Sequence, residues 1–262
     1  MTTGELSLRL KNKEGRMVME EGYVSGAFKL GKPIWYGHIP LYYLIHVGGG
    51  YLSGDTYSQR IELLENTILY LTTQAATKVY KGKTPVSMTT TIRLGENSHL
   101  SLIQDPLILY ENATYHQRTF VELAETSTFY YSEIITPGWS PSQKPFLYDE
   151  LRMHLEVKKA GKYLYVDRLY WTKGIQQTML QLNQFTHYGT YLCIEQLPIE
   201  FYEWLEHWEM PHCSIGVSTI EKAGFVCKIV ASYTQAIEQA FSQIDQVIRE
   251  HTKKTPVTLR KY

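Results

Sequence analysis

A mainly β fold is predicted by three features of the 262 residues: period-two alternation through the first two-thirds, a turn signal between two alternating runs, and helical spacing that appears only late. The clearest alternation sets Val86, Met88, Thr90, Ile92 and Leu94 on one parity and Ser87, Thr89, Thr91 and Arg93 on the other, which is the pattern of a strand with one wet face. In chain order, further strands are expected at 6–10, 61–64, 68–72, 99–104, 119–123 and 128–135. Strands at 153–157 and 163–171 flank "KKAGK", a hairpin turn in which Gly161 supplies a positive φ. A short helix is expected to start at Pro198 and run through "IEFYEWLEHW". An amphipathic helix over 232–251 follows from Ala236, Ile237, Ala240, Phe241, Ile244, Val247 and Ile248, with Pro256 just beyond it. No internal repeat, low-complexity tract or linker-like shift stands out, so one domain over 1–262 is the simplest partition, with "TPGWSPSQKP" as a surface excursion.

Composition narrows the function. The 26 basic and 26 acidic side chains cancel, and no basic stripe is interleaved with aromatics, which argues against nucleic acid as a partner. Zero net charge and 21 tyrosines suit a protein that associates, although strand residues with one polar tip also account for the tyrosines. The N-terminal stretch lacks a signal-length apolar core, and the longest apolar run, 39–47, is too short to span a bilayer, so a soluble cytoplasmic protein without membrane contact is expected. Cys193, Cys213 and Cys227 are odd in number and share no CxxC spacing, the usage of reduced, buried thiols.

The stretch "GGGYLSGDTY" is one residue from a P-loop, but Asp55 stands where the phosphate-binding lysine would be, and the following "TYSQRIELL" alternates like a strand. A dinucleotide pattern fails too, because Ser53 holds its third glycine position. What remains is a tight turn on Gly48, Gly49, Gly50 and Gly54 that presents a carboxylate. Two more acids sit at strand parities that call for apolar side chains: Glu133 with Phe129, Tyr131 and Ile135, and Asp167 with Tyr163, Tyr165, Leu169 and Trp171. A buried carboxylate costs several kcal/mol in order of magnitude unless it is compensated. Ion pairing with Arg168, Lys78 or Arg60 is one solution; a polar, water-containing interior along which a cation could pass is the other.

Catalytic constellations are missing: there is no GxSxG elbow and no HExxH pair. Glu203 and His207 share a helix face with Trp204 and Trp208, which reads as structural, and Pro211-His212-Cys213 offers two adjacent donors without a second pair. A hydrolase using Asp55 and Asp167 lacks any substrate signature. The chain is therefore expected to be non-catalytic, with no tightly bound cofactor and no tight metal site.

Three blocks, "HVGGGYLSGDTY", "LTTQAATKVYKG" and "LSLIQDPLILYENA", in that order and spacing, resemble the urease accessory protein UreD family, called UreH in some organisms. The likeness continues through "LYVDRLYW" to "KKTPVTLRKY". It departs at Gly138-Trp139, where many members carry Gly-Arg, so no role of that arginine carries over. The resemblance implies stacked β-sheets with a helix-like (β-helical) topology and a few helices toward the C-terminal end. It also implies a non-catalytic scaffold, or maturation chaperone, that binds UreF, the GTPase UreG and urease apoprotein during nickel insertion. Transient Ni2+ would travel an internal polar passage along which Asp55, Thr77, Glu133 and Asp167 are the matched positions, with Lys78 and Asp105 as weaker ones. A pure adaptor with ion-paired acids and no passage is the alternative.

Overall fold

The computed structural model describes residues 2–173, 183–255 and 257. It is mainly β, as expected, and the alternating runs become two stacked sheets. The first has seven strands in the order β15 (Lys162–Thr172), β14 (Glu150–Lys159), β12 (Thr114–Leu123), β9 (Val86–Leu94), β6 (Thr56–Leu63), β1 (Gly4–Lys13) and β2 (Arg16–Gly26). The second has eleven. Its main path is β17 (Cys213–Ile220), β18 (Gly224–Ala231), β16 (His187–Ile194), β13 (Thr128–Ile135), β10 (His99–Ile103), β7 (Ile68–Thr73), β5 (Ile39–His46) and β3 (Phe28–Leu30). The short β4 (Ile34–Tyr36) lies on β5, and β8 (Thr77–Val79) and β11 (Leu107–Leu109) join from the side.

The strands climb as coils. β6, β9, β12 and β14 run parallel in one sheet, β7, β10 and β13 in the other, and β8 with β11 makes a short third side. This is the helix-like stacking that the family resemblance implied.

The coils also carry a repeat that the sequence reading missed. "LLENT" from Leu63, "LGENS" from Leu94 and "LAETS" from Leu123 occupy successive corners, with the three leucines in register. Thr67, Ser98 and Ser127 close each corner at no more than 1% exposure, and Asn66 and Asn97 supply the left-handed backbone there. Only about five positions recur, and the leucines are separated by 31 and then 29 residues, so no fixed period announces the repeat.

Two apolar clusters hold the layers. One fills the space between the sheets and includes Leu8, Ile61, Ile92, Leu100, Phe129 and Val157. The other lies between the outer face of the second sheet and two helices, α1 (Ile199–Glu206) and α2 (Thr234–Thr252). Of the stripe its spacing predicted, α2 buries Ala236, Ile237, Ala240, Phe241, Ile244 and Ile248 and leaves Val247 half-buried, and each large buried side chain contributes about 1.5–3 kcal/mol by leaving water. Pro198 sits one step earlier than expected, at the N-cap of α1, and that helix ends at Glu206. Pro256, expected beyond α2, lies outside the described residues. No described helix is long and apolar enough to cross a membrane. Cys193 and Cys227 are buried and all three thiols are free. Among the described residues nine tyrosines are buried, and seven of them, Tyr115, Tyr130 and Tyr131 among these, lie on strands, which supports the strand reading of their abundance.

Candidate functional site

Inward-facing polar residues form a row across each sheet. In the second sheet, Glu133 on β13 pairs in register with Thr190 on β16, and Thr190 with Lys228 on β18. In the first, Gln59, Thr90 and Thr119 align across β6, β9 and β12, and the same row passes Leu155 on β14 to Asp167 on β15. Strand alternation sends these side chains into the core between the sheets, where Thr90, Thr119 and Thr190 are buried. The two rows meet at one end, where Lys228 donates to Asp167.

At the other end lies a cavity of about 340 Å³ lined by Thr73, Gln74, Thr77, Lys78, Gln104, Asp105, Gln59, Gln117 and Glu133, with Gly49 and Gly50. Its mouth is formed by exposed loop residues, Gly49, Gln74 and Ala75; its inner wall is Tyr115, Gln117, Met153 and Glu133. The cavity thus gathers Thr77 and Glu133 with Lys78 and Asp105. Asp55 and Asp167 do not line it.

Asp55 belongs to the turn beside the mouth. Its Oδ2 accepts from the Leu52 amide at 2.7 Å and from the Tyr57 hydroxyl at 2.8 Å, and its Oδ1 accepts from the Thr3 hydroxyl at 3.1 Å. Tyr57 then meets His46 Nε2 at 3.1 Å, and His46 lines the cavity. Burial pushes the His46 pKa down, partly offset by the Asp55 charge. Glycine is required here at Gly50, whose φ is 150° and where an added Cβ would come within 2.8 Å of the Lys78 carbonyl oxygen. The turn is the close backbone approach that the sequence predicted, and its carboxylate is spent on hydrogen bonds.

Glu133 is half-buried and lines the cavity. The Tyr131 hydroxyl donates to it, and Gln117 Nε2 donates at 3.3 Å. Among the described residues no cation touches it. Burial pushes its pKa above the usual carboxylate value; the Tyr131 bond and the more distant Lys228 charge oppose the shift, and the Asp167 charge adds to it.

Asp167 is a different case. It pairs with Lys228 and also accepts from Tyr165 at 3.2 Å, while Lys228 donates to Thr190 at 3.0 Å. Burial lowers the Lys228 pKa, but Tyr188, Tyr165 and Asp167 outweigh that and raise it. Ion pairing was therefore the right expectation for Asp167 with the wrong partner: Arg168, on the opposite parity, cannot reach inward. The bulge between Val157 and Lys158 also turns Tyr163 outward, 65% exposed, although the sequence put it on the Asp167 face.

Asp105 is held by Thr73, whose hydroxyl donates at 2.7 Å and accepts from the Asp105 amide at 2.8 Å. His207 Nδ1 donates to the Glu203 carbonyl and Trp204 stacks near Trp208, so that pair is structural, as read. Trp139 is 51% exposed and lies against Tyr110, with ring centroids 4.9 Å apart, on the third side of the coils. Sequence reasoning missed His46, Tyr57, Gln59, Gln117, Thr190 and Lys228. A signal existed for Lys228, a lone cation inside the apolar run "FVCKIVA", and for Gln117, which shares the Thr119 parity.

Among the described residues no three His, Cys, Asp or Glu side chains converge to hold a metal ion. The site is a polar cavity continued by polar rows, in which single oxygen donors are spaced apart.

The family model described as UreD urease accessory protein matches residues 2–261. The chain is 36% identical over 269 residues to the urease accessory protein UreD of Bacillus sp. (strain TB-90), covering 99% of both chains. It is 34% identical over 271 residues to that of Lachnoclostridium phytofermentans, covering 99% of this chain and 98% of the relative. With that of Actinomyces naeslundii it shares 32% over 273 residues, covering 100% and 99%.

Proposed function

The chain belongs to the UreD urease accessory protein family, and from that premise we propose that it serves urease maturation in the cytoplasm as a non-catalytic scaffold with a cation passage. In this reading it binds UreF, and through UreF the GTPase UreG, docks both on urease apoprotein, and offers released Ni2+ a protected way between its two sheets.

The observation that carries the reading is the polar row from Glu133 through Thr190 to Lys228, which opens at one end into the cavity that Gln104 also lines. Oxygen donors set singly hold a divalent ion loosely compared with an imidazole or thiolate cage. A conduit needs sites favourable enough to enter and weak enough to leave. Thr77, Gln104, Asp105 and Glu133 supply such donors, with Glu133 innermost. Asp55 shapes the mouth, and Asp167 ends the row.

The test is to mature urease with UreF, UreG and a Glu133→Leu variant. Partner binding is expected to persist while the nickel content of urease falls, with exposed Glu14→Ala as control. Normal nickel content in a stable, assembled Glu133→Leu complex overturns the passage. It would leave the second reading, a pure adaptor, which the Asp167–Lys228 ion pair favours because that acid is already neutralised.

A further inference from the structure

The hydrogen bonds at the cavity mouth dictate a tautomer. Tyr57 has one hydroxyl proton and gives it to Asp55 Oδ2 at 2.8 Å, since an ionised carboxylate only accepts. The Tyr57 oxygen, 3.1 Å from His46 Nε2, must then accept, so Nε2 carries the imidazole proton. In the neutral ring this leaves Nδ1 with a free lone pair. That nitrogen has no hydrogen-bond partner among the described residues, on a side chain that lines the cavity. Tyr51 and Phe28 pack edge-on against the ring, with centroids 4.8 and 6.2 Å away, which limits its rotation.

We propose that His46 Nδ1 is the entry ligand for a divalent transition-metal cation at the mouth of the cavity, and that Asp55, acting through Tyr57, is the positioning residue that holds His46 in its ligating form. The proposal rests on the cation-passage reading above and assigns a ligand that the row of oxygen donors lacks. Imidazole is softer than carboxylate and suits ions such as Ni2+ over Mg2+ or Ca2+, so one nitrogen at the mouth selects the cargo that the oxygen donors behind it cannot discriminate. A hydrogen bond on the non-ligating nitrogen is the usual device for orienting a metal-binding histidine. Here a carboxylate supplies it across one intervening hydroxyl. A single imidazole without a second nitrogen or sulfur donor also lets the ion go, as passage requires.

His46→Gln separates the two nitrogens, because the glutamine amide can still donate to Tyr57 while the Nδ1 lone pair is gone. Ni2+ titration of the full chain is expected to show affinity falling about tenfold or more with an unchanged melting temperature. Ni2+ affinity equal to wild type overturns the proposal. Should that variant not fold, long-range 1H–15N spectra of the wild-type chain decide. A His46 ring protonated at Nε2 and broadened first by substoichiometric Ni2+ supports the proposal, whereas the Nδ1–H tautomer or no selective broadening overturns it. In the same spectra Asp55→Ala, which leaves the Tyr57 proton free to be given to His46 Nε2, is expected to shift His46 toward the Nδ1–H tautomer; an unchanged tautomer removes Asp55 from the proposal. Glu133→Leu keeps the two readings apart. Lost Ni2+ affinity in His46→Gln with normal urease nickel in Glu133→Leu upholds the entry ligand and sinks the passage, and the reverse pair of results does the opposite.

Discussion

Glu133 and Asp167 occupy the same kind of position, an inward-facing site between apolar strand neighbours, and the molecule treats them in opposite ways. Asp167 lies on β15 at the edge of its sheet, where Lys228 reaches it from the opposing sheet, and both side chains keep 27–28% of their surface. Glu133 lies on a central strand, receives only neutral donors among the described residues, and faces a cavity. A buried carboxylate can be compensated by a partner charge or by polar surroundings, and the choice decides what it can still do. The paired acid is committed to structure. The unpaired one meets no partner charge among the described residues, as the proposed passage requires.

The largest effect expected from breaking this contrast is at the ion pair. Lys228→Met leaves Asp167 partly buried and uncompensated, and should cost about 2–3 kcal/mol in urea unfolding, the lower part of the range for a broken buried pair because water still reaches it. The double variant Asp167→Leu with Lys228→Met should recover most of that loss, since both charges go together. A single variant as stable as wild type would mean that Asp167, like Glu133, needs no cation. The pair also rules out Asp167→Leu alone as a probe of nickel passage, because it would orphan Lys228 and confound folding with transport.

The third acid sets the intermediate case. Asp55→Ala removes an acceptor of three hydrogen bonds, from Leu52, Tyr57 and Thr3, and should cost about 1–2 kcal/mol by thermal or urea unfolding. Asp55→Asn should cost less, because its carbonyl oxygen can still accept from the Leu52 amide. Equal losses in the two variants would show that charge, and not the turn geometry, is what Asp55 supplies.

How much of this was legible follows from where each strand is buried. β9 faces the core on one side and water on the other, so its alternation is readable residue by residue. β16 and β18 are covered on both faces, by the opposite sheet and by the helices, so they read as apolar runs without parity. The same logic governs the site. Parity was enough to flag Glu133 and Asp167 as acids in the wrong place. It could not supply their partners, because Lys228 is 61 residues from Asp167 and meets it only through sheet stacking. Nor could it show that the Asp55 carboxylate is turned toward Tyr57 and His46, an arrangement held by hydrogen bonds from Leu52, Tyr57 and the distant Thr3 and not by any motif.

The smallest effect is the most diagnostic. Because the folded-state pKa of Glu133 is raised above 4.5, the native chain holds that proton more tightly than the unfolded one. Its contribution is fully present below the unfolded pKa and is lost as pH rises through the folded value, so at neutral pH the ionised carboxylate is a net cost. Glu133→Gln never ionises. Its stability relative to wild type should therefore climb between pH 4.5 and the folded pKa, level off above it, and end ahead by less than about 1 kcal/mol, measured as urea midpoints from pH 4 to 8. A gap that stays flat over that range would mean that Glu133 ionises without penalty, as a salt-bridged acid does. The two acids would then be alike, and the case for a cation waiting its turn beside Glu133 would lose its physical basis.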